Sequence, residues 1–245
     1  MARSTLLVDE SDDRWLVTLN RPEARNAIDQ AMVDELHEVC GALESDPKVL
    51  IIAGAGGIFA SGADIRQLRE RRREDALAGI NTKLFMRIAA LPMPVIAAID
   101  GYALGGGAEL AYAADFRIAT PDLKIGNPEA GLGIIAAAGA TWRLAELVGE
   151  PTAKEILLAG RVLNADEALA LRLVTEVHPA AQLVTAAHAL ADRILRSDPA
   201  ALQATKRAMS AARDAHPEID LDEQAVLFES EAKYKRMTAF LERKK

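Results

Sequence analysis

Two short, uninterrupted runs of apolar residues constrain the fold of this chain more than any other feature. Residues 49–53 (VLIIA) and 95–99 (VIAAI) contain only Val, Leu, Ile and Ala. A strand with one exposed face alternates apolar and polar residues, whereas a continuous run of this length is typical of a strand buried on both faces. We therefore expect two central strands of a parallel sheet.

Strand and helix patterns alternate along the chain as far as Pro151. In chain order they predict strands at 6–8 and 15–19, a helix capped by Asp29 and stopped at Asp46-Pro47, the strand at 49–53, helical sequence at 65–90, the strand at 95–99, a short helix, and a strand near 116–119. This alternation predicts an α/β protein with parallel strand pairing.

After Pro151 extended runs become scarce and helical spacing dominates, so the tail is predicted to be a helical layer, with a domain boundary near residue 195. Its predicted faces are, in turn, Leu183, Ala187, Leu190 and Ile194; Leu202, Thr205 and Met209; and Tyr234, Met237 and Leu241.

Composition and charge exclude several classes of protein. Half of the 245 residues are apolar, which is enough for one domain with a full core. The net charge of -7 argues against a general binder of nucleic acid or anionic membranes, because a polyanion requires clustered Lys and Arg. The chain opens without a signal-like segment and has no apolar run of membrane-spanning length, so we expect a soluble, cytoplasmic protein.

Cysteine and histidine usage bears on compartment and metal binding. The single cysteine, Cys40, cannot form an internal disulfide and falls on an apolar helix face with Val33, Leu36 and Leu43, so we expect a buried thiol in a reducing compartment. The histidines lack the spacing of a metal site, and we expect no metal; they are His37, His178, His188 and His216.

A glycine triplet at residues 105–107 lies between a predicted strand and a predicted helix, in GYALGGGAEL. It does not fit the dinucleotide fingerprint G-x-G-x-x-G, because the sixth position from Gly105 is Leu110, and no Gly-Lys-Ser/Thr phosphate loop is present. Backbone N–H groups at a helix start lack intrahelical partners and can bind an anion. Without side chains a ligand can approach them closely, or another backbone can, so tight packing alone is the alternative interpretation.

Three motifs resemble those of the crotonase superfamily in order and spacing: FASGADIR at 59–66, GYALGGGAEL at 101–110 and GNPEAGLG at 126–133. Weaker similarities are NRPEARNA at 20–27, LAGR at 158–161 and RMTAFLERK at 236–244. The sequence resembles the enoyl-CoA hydratase/isomerase family over nearly its whole length. This resemblance implies a crotonase-like (ClpP/crotonase) α/β fold, a spiral of repeated ββα units with a C-terminal helical trimerisation layer.

The same resemblance implies a division of the chain and an assembly. Residues 1–195 would form the spiral core with the CoA site and the active site. Residues 196–245 would form a helical region that covers the site and mediates oligomerisation. We therefore expect a homotrimer, or a homohexamer built as a dimer of trimers.

The resemblance further implies hydration of a trans-2-enoyl-CoA to the 3-hydroxyacyl-CoA, a lyase reaction of fatty acid metabolism such as β-oxidation. The N–H groups of Ala63 and Gly106 would form an oxyanion hole around the thioester carbonyl. Glu109 would deprotonate the attacking water, and Glu129 would exchange a proton with the alpha carbon. Two carboxylates match the family's hydratases, whereas its isomerases often keep one. Coenzyme A is part of the substrate, so no separate cofactor is expected.

A CoA-binding set follows from the same motifs. Ala24 and Arg25 would lie near the pantetheine or adenine, and Arg66 near the CoA phosphates. Three nearby arginines, Arg71, Arg72 and Arg73, are predicted instead to lie on a solvated helix face. The full expected substrate and CoA set is Ala24, Arg25, Ala63, Asp64, Ile65, Arg66 and Gly106.

One segment departs from the hydratase pattern. Where the family's hydratases run P-G-x-G-G before an Arg-Leu pair, Ala136, Ala137 and Ala140 replace the proline and two glycines. A methyl group at Ala137 would face the water site and narrow it, although the backbone N–H is kept. An isomerase, another crotonase-type enolate reaction, or a non-catalytic acyl-CoA-binding member are therefore the alternatives.

Overall fold

The computed structural model describes residues 4–242, so the last residues of the RMTAFLERK segment, 243 and 244, lie outside it. Its strands are β1 (Leu6–Glu10), β2 (Arg14–Leu19), β3 (Val49–Gly54), β4 (Val95–Ile99), β5 (Tyr102–Leu104), β6 (Phe116–Ala119), β7 (Lys124–Gly126), β8 (Leu163–Asn164) and β9 (Glu176–Val177).

The α-helices are α1 (Gln30–Ser45), α2 (Ile65–Glu70), α3 (Arg73–Ala78), α4 (Ile80–Ala89), α5 (Gly106–Ala113), α6 (Ala140–Val148), α7 (Glu150–Ala159), α8 (Ala165–Ala170), α9 (Ala180–Leu195), α10 (Pro199–Ser210), α11 (Glu218–Phe228) and α12 (Glu231–Glu242). No helix within residues 4–242 is long and apolar enough to cross a membrane.

The strands form two sheets. The six-stranded main sheet has the order β1-β2-β3-β4-β6-β9, in which β1 and β2 pair antiparallel and all later neighbours pair parallel. The second sheet has the order β5-β7-β8, with β5 and β7 parallel. The chain thus passes from the main sheet (β4) to the second sheet (β5) and then into a helix (α5), which is one ββα unit of the expected spiral.

Both faces of the main sheet are covered, which explains its uninterrupted apolar runs. Leu50 and Ile52 of β3 pack in one core cluster with α1, whereas Val49 and Ile51 pack in a second cluster with α9. Successive side chains of a strand point to opposite faces, so a strand between two helical layers must be apolar at every position. The prediction of central parallel strands at 49–53 and 95–99 is confirmed.

Helix α1 forms as its capping residue and apolar spacing predict. The side chain of Asp29 accepts a hydrogen bond from the N–H of Met32 at 2.9 Å, and the helix ends at Ser45. Cys40 is 1% exposed on its buried face, and burial raises the pKa of this thiol to about 12. The expectation of a buried thiol is confirmed.

The helical segment predicted at residues 65–90 is interrupted twice. Arg71 leaves the helix with extended backbone (φ -62°, ψ 143°), and Gly79 adopts φ 63°. Three helices, α2, α3 and α4, therefore replace one. The short strands β5 and β7 were not predicted, because three-residue segments beside glycine show no alternation.

The tail is helical, as expected, but one of its predicted faces is wrong. Leu183, Ala187, Leu190 and Ile194 of α9 are all buried. In α10 the buried residues are Ala204 and Ala208, whereas Met209 is 81% exposed, so this helix packs through its alanines. The apolar residues of α12, Tyr234, Met237 and Leu241, are more than half exposed in this chain. The domain division at residue 195 stays a prediction.

Candidate active site

Two strands of the second sheet, β5 and β7, and the segment at Ala60 beside them end side by side and form the floor of the site. An isolated parallel bridge joins Ala60 to Ala103 of β5, and β5 pairs in parallel with β7. Because parallel neighbours run in one direction, their carboxyl ends meet at one edge. The residues that follow these ends are Ala63, Gly106 and Glu129, one from each of the three sequence motifs.

A cavity of about 930 Å³ opens at this edge, and we call it the central cavity. All four residues with an expected role in the chemistry border it: Ala63, Gly106, Glu109 and Glu129.

The N–H group of Ala63 is directed away from its neighbouring strand. A parallel bridge pairs Ala63 with Ile28, in which Ile28 N donates to Gly62 O at 2.8 Å and Asp64 N donates to Ile28 O at 2.9 Å. The groups of Ala63 itself therefore point to the opposite side. Across the described residues 4–242 this N–H has no backbone or side-chain acceptor.

Gly106 presents a second N–H group beside the first. It is the first residue of α5, so its N–H has no intrahelical partner and lies at the positive end of the helix dipole. A methyl group added to Gly106 would lie 3.3 Å from the nitrogen of Ala63, so the two segments are in close contact. No acceptor for the Gly106 N–H occurs in the part of the chain that the structure describes.

The requirement for glycine has a different structural reason at each of the three positions of the triplet. Gly105 has φ 52°, and a methyl group there would lie 3.2 Å from Glu129 Oε1. At Gly107 a methyl group would lie 2.2 Å from the carbonyl oxygen of Ala60, which is a steric clash with backbone. Tight packing therefore explains Gly107, whereas Gly106 faces the central cavity.

Glu109 is a buried carboxyl group held by main-chain donors. It is 4% exposed, and its Oε1 accepts hydrogen bonds from the N–H groups of Ala138 at 2.7 Å and Ala140 at 3.2 Å. Burial raises the pKa of this carboxyl to about 7, with a further increase from the nearby Glu129, although the two amides oppose the shift. Neither hydrogen bond uses Oε2.

Glu129 is a second buried carboxyl group on the same cavity. It lies in the 3₁₀ turn Pro128–Leu132 and is 8% exposed. Its Oε1 is 3.4 Å from Asn127 Nδ2, and its Oε2 finds no hydrogen-bond partner within residues 4–242. Burial raises the pKa of this carboxyl as well.

The expected CoA-binding residues divide into two groups. Ala24, Asp64, Ile65 and Arg66 line the central cavity together with Ala63 and Gly106. Arg25 is exposed and is not among the residues that line the cavity. Its backbone turns through φ 53° at the end of the Pro22–Ala24 turn, which separates its side chain from that of Ala24.

Two arginines border the cavity against expectation. Arg73 is exposed on α3, as predicted, whereas Arg71 and Arg72 line the cavity and lie outside a helix. They follow the end of α2 at Glu70 and connect it to α3, which begins at Arg73. The helical spacing used for the prediction does not apply outside a helix.

The segment that departs from the hydratase pattern shapes the wall beside Glu109. Ala137 lines the cavity, and its carbonyl oxygen accepts a hydrogen bond from Thr82 Oγ1 at 3.1 Å. The next residues supply the two amides that hold Glu109. An alanine donates its N–H as a glycine does, so the replacements at Ala136, Ala137 and Ala140 leave this holding interaction in place.

Three polar residues of the site were not singled out by sequence reasoning. Tyr112 Oη donates to Asn127 Oδ1 at 3.1 Å, and Asn127 in turn approaches Glu129. Asn81 of α4 lines the cavity and is 9% exposed, with a buried Oδ1 that lacks a donor within residues 4–242. Such an unsatisfied buried atom costs about 1–3 kcal/mol. For Asn81, the sequence did offer one indication of a role in the site, namely an amide on an otherwise apolar helix face.

Comparison with known proteins decides the family. Residues 14–245 match the family model described as enoyl-CoA hydratase/isomerase. The chain belongs to this family. It is 38% identical to the short-chain-enoyl-CoA hydratase of Clostridium acetobutylicum, covering 100% of this chain and 97% of that protein. It is 37% identical to the crotonyl-CoA hydratase of Syntrophomonas wolfei, covering 100% and 98%.

A solved structure of a family member confirms the fold. The enoyl-CoA hydratase of Bacillus anthracis superposes with a TM-score of 0.92 at 31% identity, covering 98% of this chain and 97% of that one. The crotonase-like α/β fold expected of the enoyl-CoA hydratase/isomerase family is therefore present.

Proposed function

We propose that this protein is an enoyl-CoA hydratase, a lyase that adds water to a trans-2-enoyl-CoA and forms the 3-hydroxyacyl-CoA. The observation that carries the proposal is the pairing of two buried carboxyl groups, Glu109 and Glu129, with two free N–H groups on one cavity. Family relatives named as hydratases support it. Isomerases of the family often keep one glutamate, and this chain has both.

The N–H groups of Ala63 and Gly106 are assigned to the thioester oxygen. When water adds to C3 of the conjugated enoyl group, the electron pair of the double bond moves toward the carbonyl and negative charge develops on its oxygen. Donors fixed in place beforehand stabilise that charge without reorganisation, and one such donor contributes about 10²- to 10³-fold in rate.

The two glutamates are assigned to the two proton transfers. Glu109 accepts a proton from water as its oxygen bonds to C3, and protonated Glu129 supplies the proton that bonds to C2. Each transfer contributes roughly 10²- to 10⁴-fold. The pKa of about 7 suits Glu109 to its role, because a base is most effective when its pKa is near the working pH. Proton exchange with solvent then restores both groups.

The CoA portion is assigned to the mouth of the central cavity. Ala24, Asp64 and Ile65 supply its wall, and Arg66 supplies a positive charge for a phosphate. Arg71 and Arg72 add two more positive charges at the same cavity. The assignment of Arg25 to CoA binding is supported only by the resemblance of the segment at 20–27 to the family's motif. Coenzyme A enters as part of the substrate, and the proposal requires no metal or separate cofactor.

The assembly is proposed to be a homotrimer or a homohexamer, with residues 196–245 in the contacts between subunits. The exposed apolar side chains of α11 and α12, such as Val226, Tyr234 and Leu241, support this, because water contact with such groups is unfavourable. Light scattering should give three or six times the 26.3 kDa of one chain; a monomer would contradict it. A cytoplasmic location and a role in β-oxidation stay predictions.

Hydration of crotonyl-CoA tests the proposed function. The expected product has gained the mass of one water and carries a hydroxyl group on C3. A product of unchanged mass with a shifted double bond would instead identify an isomerase. Tight binding of acyl-CoA without turnover of any enoyl-CoA would identify a non-catalytic member of the family.

A further inference from the structure

Asn81 occupies a position on α4 where helical spacing predicts an apolar side chain. Leu84, Phe85 and Ile88 lie on the same helix face, and all three are fully buried. Asn81 continues this face toward the central cavity and is itself 9% exposed. A buried amide is unfavourable without a hydrogen-bond partner, so its presence here calls for a function.

The amide of Asn81 has no hydrogen-bond partner among residues 4–242. Its Oδ1 is buried without a donor, and its Nδ2 donates to no described group. An asparagine side chain offers two donors and one acceptor.

The amide lies beside the groups proposed to bind the thioester. A methyl group added to Gly106 would lie 3.5 Å from Asn81 Nδ2 and 3.3 Å from the nitrogen of Ala63. The acyl chain is bonded directly to the thioester carbon, so it extends past Asn81 from the reacting carbons onward. Apolar side chains form much of the remaining wall, among them Ile80, Ile134 and Leu132.

The surrounding charges favour an uncharged partner for this amide. A second carboxylate on the acyl group would be repelled by Glu109, which acts as the deprotonated base and borders the same cavity. A hydroxyl or carbonyl group avoids this repulsion and can still bond to an amide as acceptor or, for the hydroxyl, as donor.

We propose that Asn81 is a specificity-determining residue that selects acyl groups with an uncharged oxygen substituent beyond the reacting carbons. A plain hydrocarbon chain displaces water from this amide and leaves it unpaired. A site that hydrogen-bonds a substrate oxygen rejects the analogue without it more strongly than an apolar pocket rejects an added hydroxyl. The inference rests on the proposed function only in placing an acyl-CoA in the central cavity.

Binding of saturated acyl-CoA thioesters tests this without any hydration step. Calorimetry would compare hexanoyl-CoA with its 5-hydroxy and 6-hydroxy analogues on the whole protein. The wild type is expected to bind at least one hydroxy analogue about tenfold more tightly, equivalent to ~1.4 kcal/mol. Asn81→Leu, of similar size, is expected to abolish this preference and to bind hexanoyl-CoA more tightly.

Matched variants keep the test decisive. Thr82→Val removes the hydroxyl of the adjacent cavity residue and should retain the preference. If Asn81→Leu does not fold, Asn81→Ala replaces it in the same comparison. Equal or tighter binding of hexanoyl-CoA by the wild type, or an unchanged preference in the Asn81 variant, would overturn the inference.

The outcomes also separate this inference from the proposed function. Hydration of crotonyl-CoA without a preference for hydroxyacyl thioesters would remove the role of Asn81 alone. A preference that depends on Asn81 in a protein without hydratase activity would remove the proposed function and keep the role of Asn81. With active enzyme, the preference should appear in KM more than in kcat for the corresponding trans-2-hexenoyl-CoA pair.

Discussion

The main-chain N–H of Ala138 donates to Oε1 of Glu109 at 2.7 Å across 29 residues of sequence. The loop before α6 thereby fixes the carboxyl group on α5, and it does so in a segment where alanines replace the family's glycines. The hydrogen bond requires only a backbone donor. Glu109 is thus held on one oxygen while the other stays available to the cavity.

Glu109→Gln should raise stability above pH 7. The pKa of Glu109 is about 7 in the folded protein against an ordinary 4.5. A raised pKa means that the protonated carboxyl stabilises the fold, and this contribution is complete below about pH 4.5 and lost as the pH rises through about 7. The loss is on the order of 3 kcal/mol. Glutamine stays neutral at every pH, so the variant avoids this loss of stability.

Thermal unfolding from pH 5 to pH 9 measures this difference. The variant and the wild type should unfold at similar temperatures near pH 5, and the variant at a higher temperature near pH 9. The exposed acid Glu38 offers a control, since Glu38→Gln should show no such pH dependence. Parallel curves for Glu109→Gln and the wild type would contradict the raised pKa.

Gly106→Ala should impair catalysis while the protein stays folded. The added methyl group would occupy the space beside the Ala63 nitrogen that is proposed for the thioester oxygen. We expect kcat/KM for crotonyl-CoA to fall by about 10²-fold or more, as on loss of an oxyanion donor. At Gly131 an added methyl group meets nothing within 4 Å, so Gly131→Ala is the matched control. Equal activity of the two variants would disprove the assignment.

Gly107→Ala should affect stability instead. Its methyl group would lie 2.2 Å from the carbonyl oxygen of Ala60, so backbone must move. Overpacking of this kind costs about 1–3 kcal/mol, which outweighs the ~1 kcal/mol that alanine gains over glycine in a helix. Urea denaturation measures the change. A variant as stable as the wild type would show that the contact between α5 and Ala60 is looser than described.

Tyr112→Phe should shift the pH dependence through Asn127. The hydroxyl of Tyr112 binds Asn127 Oδ1 and so directs Nδ2 toward Glu129, an interaction that lowers the pKa of Glu129. Without it that pKa rises further, and the alkaline limb of the kcat/KM profile should move to higher pH. A fall in activity with an unshifted profile would instead indicate a purely structural role for Tyr112.

The sequence predicts those parts of the fold that local patterns encode. Uninterrupted apolar residues at 49–53 identified a strand buried on both faces, and Asp29 identified the start of α1. Arg71 and Gly79 divide a predicted helix because Arg71 has extended backbone and Gly79 has a positive φ. Hydrophobic periodicity does not report such local backbone conformations.

The candidate site shows the same division. The motifs predicted that Ala63, Gly106, Glu109 and Glu129 belong to one site, and all four border the central cavity. Local sequence did not predict that Ala138 and Ala140 hold Glu109. Nor did it predict the unpaired amide of Asn81, which becomes evident only when the wall facing Gly106 is assembled from α4.

Replacement of each glutamate in turn tests whether the two carboxyl groups carry out the two proton transfers. Hydration of crotonyl-CoA would be followed for Glu109→Gln, Glu129→Gln and the Glu38→Gln control at the pH optimum of the wild type. We expect a fall in kcat of about 10²- to 10⁴-fold for each of the first two variants and normal activity for the control. Full activity in either Glu109→Gln or Glu129→Gln would contradict it.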